Sequence, residues 1–157
     1  MHAKYITPVI AAVQNVFATM IQLPVAPGKQ FFKKDKRPTM EVISTITLSG
    51  PVAGFVCLGL SRNLAFVLAS RLLDCQIDEA SAECIDAIGE LTNMIAGNAK
   101  SEFPDEGIAI SVPKVVFEPS GAVFPLNVPI ISIPFQTQGV ELLVDMGLLL
   151  NTRQRNL

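Results

Sequence analysis

The sequence predicts an α+β domain in which long helices pack on one face of an antiparallel sheet, in the order α-β-β-α-α-β-β-β. Three observations carry this. Apolar residues recur at three- and four-residue spacing in three segments of the first hundred residues. Two β-branched runs flank Gly50-Pro51 and read as a hairpin. The last third is strand-like and punctuated by Pro113, Pro119, Pro125, Pro129 and Pro134, which cannot donate to a ladder and so mark edges, turns or strand starts. At 157 residues, positions 1–157 read as one domain, long enough to bury a core.

The first helix runs from Tyr5 to Gln22, with Val9, Val13, Val16, Phe17 and Met20 on its apolar stripe, and Pro24 and Pro27 end it. Lys29–Arg37 is the one basic cluster, either a solvated connection or a docking edge for an acidic partner. Strands follow at Glu41–Ser49 and Val52–Leu60. Ser61 caps a helix from Arg62 to about Leu73, and Asp78 caps a longer one from Glu79 to about Ser101, stopped by Pro104 and Gly107. The remaining strands are Ile108–Phe117, Val128–Phe135 and Val140–Leu149, with a turn at Gly139 and a bend or bulge at Gly147.

Composition narrows the function classes. Half the residues are hydrophobic and 17% are charged, below the usual quarter. The mean hydropathy of +0.44 calls for a membrane segment or for apolar surface buried against another chain. Tyr5–Val25 carries Thr7, Pro8, Gln14, Asn15, Thr19, Gln22 and Pro24, so no clean run of about 18 apolar residues exists. No small-x-small cleavage site closes that run. A cytoplasmic, self-associating protein without membrane insertion is expected. A net charge of −2 argues against nucleic acid. Cys57, Cys75 and Cys84 read as reduced core thiols. His2 is the only histidine, which leaves no His-based triad, and no metal site is expected.

The long helix holds the chemistry. With Ile85 at zero on a wheel of about 100° per residue, Asp86, Glu90, Asn93 and Gly97 fall between about 80° and 140°. Ile88, Leu91, Ile95 and Ala99 cluster at about 240–320° and form the core face. Glu90 and Asn93 are therefore neighbours at i and i+3 on the outward face. Gly89 and Gly97, on or beside that face, offer flat spots where another backbone can approach, at a cost of about 1 kcal/mol each relative to alanine. A carboxylate can take a lysine or arginine, and a carboxamide can hold a water in a fixed direction. Asp86 reads as capping or solvated, Asn98 as structural, and Lys100 as a last-turn residue suited to the helix dipole or a screen for the site.

The pattern Asp86-x-x-x-Glu90-x-x-Asn93-x-x-x-Gly97, followed by Asn98-Ala99-Lys100, resembles the motif of the CheC/CheX/FliY family of chemotaxis phosphatases, and CheX most closely. Ala3-Lys4-Tyr5-Ile6, Val16-Phe17 and the element order are similar as well. The resemblance implies a phosphatase acting on the aspartyl phosphate of a CheY-type receiver domain in chemotaxis or two-component signalling. It implies that Glu90 pairs with the receiver's lysine and that Asn93 orients the attacking water. Asp86, Gly89, Gly97 and Lys100 would lie against the partner. The implied Mg2+ belongs to the receiver, and the protein would carry no cofactor of its own. Relatives of this kind form homodimers. The first helix has Ala11, Ala12 and Asn15 but no glutamate three residues before that asparagine, so one site per chain is expected. The same face would also serve a module that binds a receiver domain or a flagellar-switch partner without hydrolysis.

Overall fold

The structure, a computed structural model, describes residues 3–150; His2 lies outside them. The strands β1 (Ala26–Pro27), β2 (Phe31–Phe32), β3 (Val42–Ser49), β4 (Val52–Leu60), β5 (Ala109–Ile110), β6 (Lys114–Phe117), β7 (Ile131–Thr137) and β8 (Val140–Leu150) form one antiparallel sheet. Its order is β1-β7-β8-β4-β3-β5, with β2 also paired to β7 and β6 to β3. The helices are α1 (Ala3–Val16), which continues into a π-helical turn at Phe17–Ile21, α2 (Arg62–Leu73) and α3 (Ala82–Ser101).

Register explains the layering. Val42, Ser44, Ile46 and Leu48 of β3 stand opposite Leu60, Leu58, Val56 and Gly54 of β4. This face meets the helices, and its core includes Val9, Val13 and Phe17 of α1, Leu64 and Leu68 of α2, and Ile88, Leu91 and Ile95 of α3. The predicted class, an antiparallel sheet with helices on one face, is the observed one.

The sheet's other face is also covered. Thr45, Cys57, Asp145 and Ser132 occupy one row across β3, β4, β8 and β7. Ile43, Phe55, Cys57, Phe124 and Ile130 form a second, smaller core there. The basic segment is not simply solvated: Phe31 and Phe32 pair with β7, and Lys33 turns inward. Its ammonium lies 3.0 Å from Asp145 Oδ2, while Ser132 Oγ donates to Asp145 Oδ1 at 2.5 Å. A buried carboxylate this far from water needs such partners.

Several predicted boundaries shift. Asp78 does not cap α3. The Ser81 hydroxyl accepts the Cys84 N–H, and the helix starts at Ala82, not Glu79. The strand expected over Ile108–Phe117 breaks in two. Ser111 closes the first part by donating its N–H to the Thr47 carbonyl, and β6 rejoins β3 at Lys114. Gly147 is neither a bend nor a bulge: it sits in the regular β4–β8 ladder opposite Phe55, where a Cβ would come within 2.7 Å of the Phe55 ring. Cys75 is exposed rather than in the core, whereas Cys57 and Cys84 are buried.

Candidate functional site

The candidate site is the outward face of α3. Ile88, Leu91, Ile95 and Ala99 are buried in the core, which fixes how the helix is rotated. Thr92 adds a polar lock on the inner side, its hydroxyl 2.7 Å from Ser44 Oγ of β3 and 2.8 Å from the Ile88 carbonyl. On one flank α1 packs alongside, and Asn15 Nδ2 donates to Asn98 Oδ1 at 3.1 Å. Past the C-terminal end, the Tyr5 ring meets Phe103 edge-on at 5.2 Å.

With α3 held on three sides, Asp86 and Glu90 are exposed, and Asn93, Gly97 and Lys100 are partly buried. Glu90 and Asn93 stand one turn apart with the same outlook. Among the described residues, none hydrogen-bonds or ion-pairs with either side chain. Gly97 lies beneath open space, since a Cβ there would meet nothing within 4 Å. Asp86 is a full turn inside the helix, so it caps nothing; Ser81 does that. Lys100 lies in the last turn, where its charge suits the helix dipole.

Gly89 does not belong to the exposed face. It is buried, and its flat spot is occupied from within the chain: Pro113 Cγ lies 3.2 Å and Val115 Cγ2 3.6 Å from where its Cβ would be. Gly89 admits the β5–β6 connection to α3, not a partner.

One feature next to the site was missed in sequence. A groove of about 590 Å³ runs between α2 and α3, with Leu72, Leu73, Cys75 and Ala87 along it. Glu83, Asp86 and Glu90 edge it. Leu72 and Leu73 end the apolar pattern of α2, and nothing in their spacing distinguishes a groove wall from core. A larger groove of about 750 Å³ lies between the π-helical turn and α2 and contains neither Glu90 nor Asn93. The buried thiols also lie away from the site's polar face. Burial pushes the Cys57 thiol up to about 12 and also raises Cys84, against the pull of the Arg62 charge.

The site is thus an outward helix face that presents a carboxylate and a carboxamide one turn apart, beside a shallow groove. The chain belongs to the chemotaxis phosphatase CheX family, whose pattern it matches over residues 42–136. Solved structures agree. A chemotaxis protein CheX from Desulfovibrio desulfuricans is 26% identical, with a TM-score of 0.83 over 93% of this chain and 99% of that one. The CheX of Vibrio vulnificus is 26% identical, with a TM-score of 0.81 over 94% and 100%. A chain of the CheX–CheY–BeF3–Mg2+ complex from Borrelia burgdorferi shares the fold, with 22% identity and a TM-score of 0.78 over 92% and 97%. Among curated proteins the chain has no match.

Proposed function

We propose that the protein hydrolyses the aspartyl phosphate of a CheY-type receiver domain in a chemotaxis or two-component pathway of the cytoplasm. The observation that carries the proposal is the pair Glu90 and Asn93, one turn apart on the outward face of a helix whose rotation the core and Thr92 fix. Family membership supports it, and so does the fold shared with a complex that contains CheY, beryllofluoride and Mg2+.

The chemistry asks little of the protein. An acyl phosphate is already activated, and phosphoryl transfer needs positioning and charge balance more than covalent help. The Asn93 carboxamide would hold a water in line with the phosphorus–oxygen bond. Attack by that water forms a new P–O bond, breaks the bond to the aspartyl oxygen, and leaves inorganic phosphate and a free carboxylate. Glu90 would pair with the receiver's lysine, orienting the docked domain and drawing that ammonium into a charge-assisted hydrogen bond. Mg2+ would be held by the receiver, where it would neutralise charge on the phosphoryl group.

The test is the decay of a phosphorylated CheY-type receiver in Mg2+ with wild type, Glu90→Ala and Asn93→Ala. Wild type should accelerate decay. Asn93→Ala should lose about 10²–10³ in kcat, or about 2.7–4 kcal/mol, as for other single positioned groups. Glu90→Ala should act mainly on KM. Acceleration that survives Asn93→Ala unchanged would refute the assignment. Binding without acceleration would favour a receiver-binding module instead.

A further inference from the structure

We propose that the groove between α2 and α3 is a second contact for the same receiver domain, and that it takes an apolar side chain with a lysine or arginine beside it. This rests on the phosphatase reading and deepens it by specifying which partner surface is selected.

Continuity is the first argument. Glu90 and Asp86 edge the groove and also belong to the candidate site, so a domain seated over Glu90 and Asn93 necessarily covers one wall of it. On the helix wheel Ala87 lies at about 200°, Glu90 at about 140° and Asn93 at about 80°. Glu90 therefore stands between the groove and Asn93. A partner resting on one helix alone is free to rock about that helix. A second contact displaced toward α2 removes this freedom, and in-line attack on phosphorus depends on removing it.

The lining states what the partner brings. Leu64 and Leu68 of α2 are buried, but Leu73, its last residue, is 41% exposed and turned into the groove. Leu72, Ala87 and Cys75 continue the apolar surface. The rim carries three carboxylates, Glu83, Asp86 and Glu90, and among the described residues no cation lines the groove. The ion pairs of the described residues, Lys33–Asp145 and Arg62–Glu118, do not involve this rim. An apolar floor under a one-sign rim selects an apolar side chain flanked by positive charge. A second copy of this chain seated there would bury Glu90 and shut the site, so the occupant is the receiver.

Cys75 provides a test that does not depend on turnover: it is exposed while Cys57 and Cys84 are buried, and it lines both this groove and the larger one beside the π-helical turn, so its protection is read together with Leu73, which lines this groove and not that one. A CheY-type receiver activated with beryllofluoride and Mg2+ should slow N-ethylmaleimide alkylation of Cys75 by about fivefold or more, and the unactivated receiver should not. Leu73→Glu, an exposed substitution at a helix end, should raise KM for the phosphorylated receiver by about tenfold, with the loss in KM and not in kcat. Asn93→Ala should show the reverse split. If wild type accelerates decay, yet saturating activated receiver leaves Cys75 alkylation unchanged and Leu73→Glu leaves KM unchanged, the groove proposal is overturned while the phosphatase reading stands. Protection of Cys75 that Leu73→Glu abolishes, without acceleration, supports the groove and overturns hydrolysis; protection that Leu73→Glu leaves intact overturns the groove. Neither protection nor acceleration with the receivers tried overturns both.

Discussion

Replacing Gly97 with alanine separates what the fold wants from what the site wants. Gly97 lies inside α3 with an ordinary helical backbone, so an alanine there gains helix propensity of about 1 kcal/mol. No neighbour opposes it, because its Cβ would meet no atom within 4 Å. Nor does it bury new area, so the expected gain is about 0.5–1 kcal/mol, or about 1–4 °C in Tm for a chain of this length. Gly89→Ala offers the same propensity gain but places its Cβ 3.2 Å from Pro113 Cγ, so Pro113 must give way and the gain shrinks or reverses. Urea or thermal unfolding of both variants reads this contrast. In the same preparations, Gly97→Ala should raise KM for the phosphorylated receiver, since its methyl group fills the flat spot that a docked backbone would use. A destabilised Gly97→Ala would refute the packing argument. A stabilised variant with unchanged KM would remove Gly97 from the docking face.

Burial, charge and exposed apolar surface set four further outcomes. Native protein should titrate one thiol, Cys75, with a disulfide reagent, and three after denaturation; more than one in the native state contradicts the burial of Cys57 and Cys84. Burial holds the Cys57 proton up to about 12 against an ordinary 9.0, so above pH 9 the unfolded chain loses a proton that the folded chain keeps. Stability contributed by this group is full below pH 9 and then falls by about 1.4 kcal/mol per pH unit toward pH 12; urea midpoints at pH 8 and pH 10 that shift in parallel for wild type and Cys57→Ala would contradict it. Lys33→Met leaves the Asp145 carboxylate buried without its cation and should cost about 3–5 kcal/mol in chemical denaturation, most of it recovered in Lys33→Met/Asp145→Leu; a single-variant cost under about 1 kcal/mol would mean the pair is hydrated. We expect a homodimer at micromolar concentration, because large apolar side chains such as Val112 (86% exposed) and Val123 (67%) remain uncovered among the described residues. Sedimentation showing only monomer across that range would exclude it.

What was legible in sequence was what is local. The face of α3 follows from helical periodicity alone, so Asp86, Glu90, Asn93 and Gly97 could be placed together before any contact was known. The Ser61 cap and the β3–β4 hairpin are equally local. The errors lie where a distant residue decides. Asp78 and Ser81 are both good caps; the choice falls to Ser81 because the Ser70 hydroxyl accepts the Ile77 N–H and ties the connection back onto α2. Lys33 reads as surface until Asp145, far along the chain, is placed beside it. Gly89 and Gly97 are the same residue type on one helix, and only Pro113 makes one a packing contact and leaves the other open. The groove beside Glu90 belongs to this second class. It exists because α2 ends at Asp74, whose left-handed backbone (φ 52°) turns the chain so that Leu73 and Cys75 are left facing α3 instead of being covered. The outward face of α3 can thus be read from one helix, whereas the groove beside it is written in how two helices pack.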